Sequence, residues 1–339
     1  MELLNKLWKR GQQFLGVDIP IMAGAMTWIS DHKFVAAVNN AGGFGCLAAG
    51  NMPPEELAKQ IDQTKKLTDK PFATNVITIA PFYRQHLEIA VEKKIPFIVF
   101  AGSFPRGSDI KVAKSNGAKV MAFASNDTIA TRMIKSGVDA IMLEGSEAGG
   151  HIGHVSLLIL LQQVLFATQD VPVFVAGGIA TGQMMTHLLL MGASGIQMGT
   201  RFIVTEECNV HPNFRKAFLR ARAREAVATP AVGSELNVVA VRALKNKGMG
   251  DFAELQMELI LKNRQGEITK KEAQFEVERF WIGALRNAVV DGDTEHGSLM
   301  AGQSVGLANK TQTIRELFEE MILEGETSLK AIKQRLANL

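Results

Sequence analysis

Residues 173–202 read VFVAGGIATGQMMTHLLLMGASGIQMGTRF. Two short, nearly continuous apolar runs, 173–175 and 195–198, each lead into a small-residue turn: Gly177-Gly178 after the first, Gly199-Thr200 after the second. Between them, residues 181–191 carry apolar side chains at helical spacing behind Thr181, a residue type that caps helix N-termini. A run without polar alternation marks a strand covered on both faces, as in a parallel α/β sheet. Strand, glycine turn, helix, strand is the repeating unit.

The same beat extends back to residue 18. Candidate strands lie at 20–23, 44–48, 72–76, 97–100, 119–123, 140–143, 173–175 and 195–198. Candidate helices lie between them at 31–40, 54–67, 84–94, 110–115, 127–136, 155–167 and 181–191, with another at 213–224. Asn126-Asp127 and Pro53-Pro54 followed by Glu55 and Glu56 are helix-start signals. Eight such units fit a TIM (β/α)8 barrel. The rival, a doubly wound open sheet, would carry a GxGxxG turn after an early strand; Gly42-Gly43-Phe44-Gly45 lacks that spacing.

Past Arg224 the beat is lost. Residues 225–288 are mixed, with a charged centre at 258–278, and read as a small, largely helical inserted cap or substrate domain. The barrel would then comprise residues 1–224 and 289–339, with a glycine-rich stretch at 289–307 and a charged helix at 311–339. Residues 1–15 form an amphipathic pattern expected to close one end of the barrel.

Composition excludes several classes. With 47% hydrophobic and 21% charged residues in 339, long disorder is ruled out. A net charge of +3 gives no ground for a nucleic-acid or membrane partner. Cys46 and Cys208 form no CxxC pair, which excludes a disulfide scaffold or Cys-rich zinc site and points to a reducing cytoplasm. No His/Asp/Glu cluster has metal-ligand spacing. The longest apolar run, 155–167, is broken by Ser156, Gln162 and Gln163 and is too short to span a bilayer. No signal-peptide pattern is present.

In a TIM barrel the chemistry gathers on the loops after the strand C-termini. Three late loops are rich in glycine: 144–154, which reads EGSEAGGHIGH, then 176–182 and 198–202. Backbone N–H groups without a Cβ in the way approach an anion closely, and a following helix adds its dipole. One such loop would read as a tight turn. Two on neighbouring final strands read as a phosphate site. Arg201 is placed either to join that phosphate or to pair with an acidic helix residue. Met22-Ala23-Gly24-Ala25-Met26 ends the first strand with small residues on which a flat ring can lie. Asn75 puts a polar amide at the end of an apolar strand, where it is either a turn residue or a hydrogen-bonding partner for a heterocycle.

Taken together, Pro20 to Met26, Ala41 to Gly45, Lys70 to Asn75, Glu147 to Gly153, Ala176 to Ala180, Gly199 to Phe202, His211-Pro212-Asn213 and Gly297 to Gln303 resemble the nitronate monooxygenase family. That family includes the FMN-dependent enoyl-[acyl-carrier-protein] reductases of bacteria. The resemblance spans nearly the whole chain. It implies a flavin-dependent oxidoreductase, with NADH or NADPH as co-substrate if a reductase, acting on an acyl-carrier-protein thioester or a small nitronate, and a homodimer. Ala23, Gly24 and Met26 would lie at the flavin ring, with Asn75 on its polar edge. Glu144 would also be among the cofactor-binding residues. Gly149, Gly150, Gly177, Gly178, Gly199 and Thr200 would surround the phosphate. His151 would be the active-site histidine, and its type can serve as acid or base near neutral pH. Ile152 makes the motif Gly-His-Ile-Gly, closer to the reductases than to nitronate enzymes with Arg there, although His154 stands where reductases often have Lys or Glu.

Other readings are plainer. Glu144 and Glu147 are expected to orient their loop by accepting backbone N–H groups. His154 either joins the site or caps a helix. His32, His86, His187 and His296 are expected to be structural, and Cys46 buried and unreactive. A barrel that has lost activity is the non-enzymatic alternative; the intact glycine loops and His151 speak against it.

Overall fold

The computed structural model describes residues 2–50, 52–229, 232, 235, 236 and 238–338. The strands in chain order are β1 (Ile21–Ala23), β2 (Phe44–Ala48), β3 (Ala73–Ile77), β4 (Phe97–Ala101), β5 (Lys119–Ala124), β6 (Ala140–Glu144), β7 (Gly150–His151), β8 (Val173–Ala176), β9 (Gly195–Met198), β10 (Ala226–Ala228) and β11 (Val241–Leu244). All but β7, β10 and β11 form one closed parallel barrel in sequence order, with β9 returning to β1 through Ile21↔Ile196 and Ala23↔Met198. Closure excludes the open doubly wound sheet. Each of the eight apolar runs is a barrel strand, displaced at its ends by a residue at most.

The inside is filled by alternate residues of the strands: Met22, Phe44, Cys46, Ala73, Phe97, Val99, Met121, Ala140, Met142 and Phe174. The chain's N-terminal helices, Glu2–Leu7 and Lys9–Leu15, break at the wholly buried Trp8 and plug the end of the barrel where the strands begin. The Phe14 ring lies 5.7 Å from Phe97 and 5.8 Å from Phe174, with the Lys119 ammonium 4.7 Å above it. The opposite, C-terminal mouth is left for the loops. Phe174 touches both the plug and the interior, and cannot be truncated without a void. Phe174→Ala is expected to lower unfolding stability by about 3–5 kcal/mol, read as a lower urea midpoint.

The inserted segment opens with strands, which its composition did not announce. β10 pairs antiparallel with β11, and β11 pairs antiparallel with β7, matching Val241 to His151 and Arg242 to Gly150. Two helices follow, Lys247–Arg264 and Lys270–Arg286. They close a separate apolar core around Phe252, Leu259, Val277 and Trp281, with the Phe252 and Trp281 rings 4.3 Å apart. The two helices thus follow a small sheet, and that sheet takes its third strand from a barrel loop. Among the described residues no helix is long and apolar enough to cross a membrane.

Candidate active site

The floor of the mouth is built by β1 and β9. Gly24 N–H donates to the Met198 carbonyl at 3.0 Å. Ser30 Oγ accepts from Met26 N–H at 2.9 Å and donates to the Gly24 carbonyl at 3.0 Å, which holds Ala23, Gly24 and Met26 as one bent ribbon. The Gln197 amide lies against Gly24, where a Cβ would come within 3.2 Å of Nε2. Asn75 is buried in β3 and donates to the Val99 carbonyl at 3.3 Å. Its Oδ1 has no protein partner among the described residues.

On the far side of the mouth the glycine loops converge. β8 and β9 are neighbours, so Gly177-Gly178 and Gly199-Thr200 follow adjacent strands. Gly177 and Gly178 have φ of +97° and +72°, a region that side chains other than glycine rarely adopt. The later glycine-rich stretch folds back here as a wall. Gly302 N–H donates to Thr200 Oγ1 at 2.9 Å, and a Cβ on Gly149 would fall 2.5 Å from Gly302 N. Arg201 turns away from the mouth. It is buried and meets Glu320 at 3.2 Å and Gln312 at 3.3 Å, so of its two readings the structure selects the ion pair.

His151 stands on β7, and its loop is braced by the insert. Ile152 N–H donates to the Ala240 carbonyl at 3.0 Å, and Arg242 donates to the carbonyls of Ser146 and Ala226. His151 Nε2 lies 3.3 Å from Glu278 Oε1, a residue of the helix Lys270–Arg286. The imidazole keeps 44% of its surface open, yet protein surrounds it closely. That crowding disfavours its charged form. The Glu278 hydrogen bond, the Glu278 charge and the Glu144 charge outweigh it, and the pKa is raised above the usual histidine value. Glu144, at the end of β6, is pushed up to about 7 by burial, partly offset by the nearby His151.

The two loop glutamates divide. Glu147 accepts Leu157 N–H with both oxygens, at 3.0 and 3.2 Å, and so holds the next helix start, as its sequence position led us to expect. Glu144 sits within the influence of His151. His154 is exposed in a bend. His32 contacts Gln60, His86 the Met52 carbonyl, His187 the Gln183 carbonyl and His296 the Asp251 carboxylate, all local structural bonds. Cys46 is enclosed in the barrel, and burial pushes its thiol well above the usual range. Among the described residues no group of three or more His, Cys, Asp or Glu side chains is arranged to hold a metal ion. Four side chains of the mouth were not singled out from sequence: Ser30, Gln197, Arg242 and Glu278.

The nitronate monooxygenase family model matches residues 9–82 and 76–324. The chain belongs to the nitronate monooxygenase family. It is 32% identical to FabK from Thermotoga maritima, with a TM-score of 0.86 and coverage of 96% of this chain and 98% of that one. It is 29% identical over 341 residues to the (3aS,4S,5R,7aS)-5-hydroxy-7a-methyl-1-oxo-octahydro-1H-indene-4-carboxyl-CoA dehydrogenase of Mycobacterium tuberculosis, covering 94% of this chain and 96% of the relative. It is 26% identical over 350 residues to a probable nitronate monooxygenase of Staphylococcus aureus, covering 89% and 94%. As a nitronate monooxygenase family member the protein is a flavin-dependent oxidoreductase. Its mouth fits such a group. Gly199 presents bare backbone, with only Met26 Sδ within 4 Å of a Cβ built on it, while the Gln197 side chain covers Gly24. The unpartnered Asn75 Oδ1 suits the polar edge of a ring, and the left-handed Gly177-Gly178 turn suits an anion.

Proposed function

We propose that this family member is an NAD(P)H-dependent reductase of trans-2-enoyl thioesters, using FMN and acting on acyl-carrier-protein substrates of fatty-acid synthesis. The observation that carries this reading is the Glu278 carboxylate 3.3 Å from His151 Nε2, with Glu144 near enough to act on the ring. Acidic side chains beside an imidazole favour its protonated form, the form that can serve as an acid. Reduction at Cβ of an enoyl thioester leaves negative charge on Cα and the thioester oxygen, and that charge calls for a nearby donor. A nitronate arrives already as an anion and requires no protonation.

In this reading Ala23, Gly24, Met26, Asn75 and Glu144 hold the ring of FMN, while Gly149, Gly150, Gly177, Gly178, Gly199 and Thr200 hold its phosphate. The bound flavin supplies reversible two-electron transfer. His151 keeps a proton at the substrate's thioester end. The helix Lys270–Arg286 lies against His151 at the mouth and shields part of it from water, which strengthens the charge interactions there. The likeness to FabK supports the reductase reading, and the CoA thioester named for the mycobacterial relative supports a thioester substrate. The staphylococcal relative supports the second reading, oxidation of alkyl nitronates with O2.

One assay separates them. Protein, NADH or NADPH and crotonyl thioester are mixed without oxygen. Loss of nicotinamide absorbance that depends on the thioester is the expected result. Oxygen uptake with propionate 3-nitronate, together with inert thioester, would replace the proposal with the second reading.

A further inference from the structure

The helix Lys270–Arg286 reaches the mouth at two points one turn apart. Glu278 meets His151, 127 positions away in sequence, and the Ile282 carbonyl accepts the Trp28 indole N–H at 3.2 Å. Trp28 belongs to the loop that continues the Gly24–Met26 floor, and it is held at φ +66°, a conformation bulky residues avoid. A strained tryptophan and an active-site histidine therefore both contact a single inserted helix.

The charges facing His151 come from two elements. Glu144 ends β6, and Glu278 lies on the inserted helix. Arg242, on the strand paired with β7, is turned to the Ser146 and Ala226 carbonyls, and Glu147 on the same loop is committed to Leu157 N–H. Glu278 alone among these touches the ring, and it touches Nε2. A carboxylate on Nε2 keeps that nitrogen protonated and leaves Nδ1 as the nitrogen that can face a substrate.

We propose that Glu278 is the positioning residue of His151, so that the proton donor is assembled by docking of the inserted helix. In the charged ring both nitrogens carry protons. Nδ1 passes its proton to Cα of the reduced thioester, the new C–H bond takes the electron pair of the enolate, and the ring is left neutral with Nε2–H held by Glu278. The transfer to carbon rests on the reductase reading; the orientation by Glu278 does not.

The test uses Glu278→Gln, which preserves shape and removes the charge, with Glu278→Asp as the conservative partner and Glu278→Ala as the full truncation. The His151 ring is titrated by NMR in each protein, with and without FMN. In Glu278→Gln and Glu278→Ala the imidazole should titrate at lower pH than in wild type, and Glu278→Asp should recover part of the difference. The alkaline limb of kcat/KM should move down with it, kcat at neutral pH should fall on the order of tenfold, and the FMN dissociation constant should stay unchanged. An imidazole that titrates identically in wild type and Glu278→Gln overturns the proposal. A wild type inert toward enoyl thioesters instead overturns the reductase reading, and leaves the titration to judge Glu278 by itself.

Discussion

His151→Ala is expected to leave the protein yellow and to slow its turnover by at least about 10²-fold, the usual worth of a positioned acid or base. The side chain is 44% exposed, and its loop is held through backbone pairing with β11, so removing the ring takes away neither a core contact nor a strand bond. Flavin binding is expected to persist because the glycine turns and the Gly24–Met26 floor do not depend on the imidazole. The pH profile carries the sign of the mechanism. An acid must be protonated to act, so wild-type kcat/KM falls as pH rises through the elevated pKa of His151. In the variant that limb disappears. Glu144, pushed up to about 7, remains beside the site and can impose only its own, weaker dependence. Steady-state kinetics and the flavin absorbance of the same preparation check both halves. Turnover within a few-fold of wild type would remove His151 from the reaction.

The eight barrel strands were legible because a parallel strand is buried on both faces, and a largely apolar run of three to five residues records that directly. β7, β10 and β11 left no such record. They span two, three and four residues, and β7 exists only because β11, about 90 positions further on, comes to lie beside it. Local periodicity cannot announce a pairing of that separation. Asn75 was readable as a polar amide stranded in an apolar run. Gln197, between Ile196 and Met198, gave the same signal and was passed over. Glu278 gave none: it is one acid within a charged stretch, and only the docking of its helix sets it apart. Glu144 was expected to serve its loop as Glu147 does. It was also expected among the cofactor-binding residues; at the end of β6, burial and the nearby His151 govern it.

Gly177→Val is expected to yield protein without flavin. The residue sits at φ +97°, and a Cβ there would lie 2.9 Å from the Gly145 carbonyl oxygen and 3.1 Å from its nitrogen. Those atoms are backbone of the loop that carries His151, so they cannot yield as a flexible side chain would. The left-handed conformation alone costs on the order of 1–3 kcal/mol for a residue other than glycine, and a branched side chain adds crowding at Cβ. The cheapest escape is to rotate the Gly177-Gly178 turn, which swings away the N–H groups proposed to hold the phosphate. A loss of about 2.7 kcal/mol in binding corresponds to about a hundredfold weaker affinity, enough to strip flavin during gel filtration. Gly250→Ala is the control. Gly250 lies inside the helix Lys247–Arg264 with nothing within 4 Å of a built Cβ, and the change should stabilise that helix by about 0.5–1 kcal/mol and leave the colour alone. Equimolar flavin retained by Gly177→Val, in a titration against wild type, would show that the turn after β8 does not grip the cofactor and would move the phosphate site elsewhere on the rim.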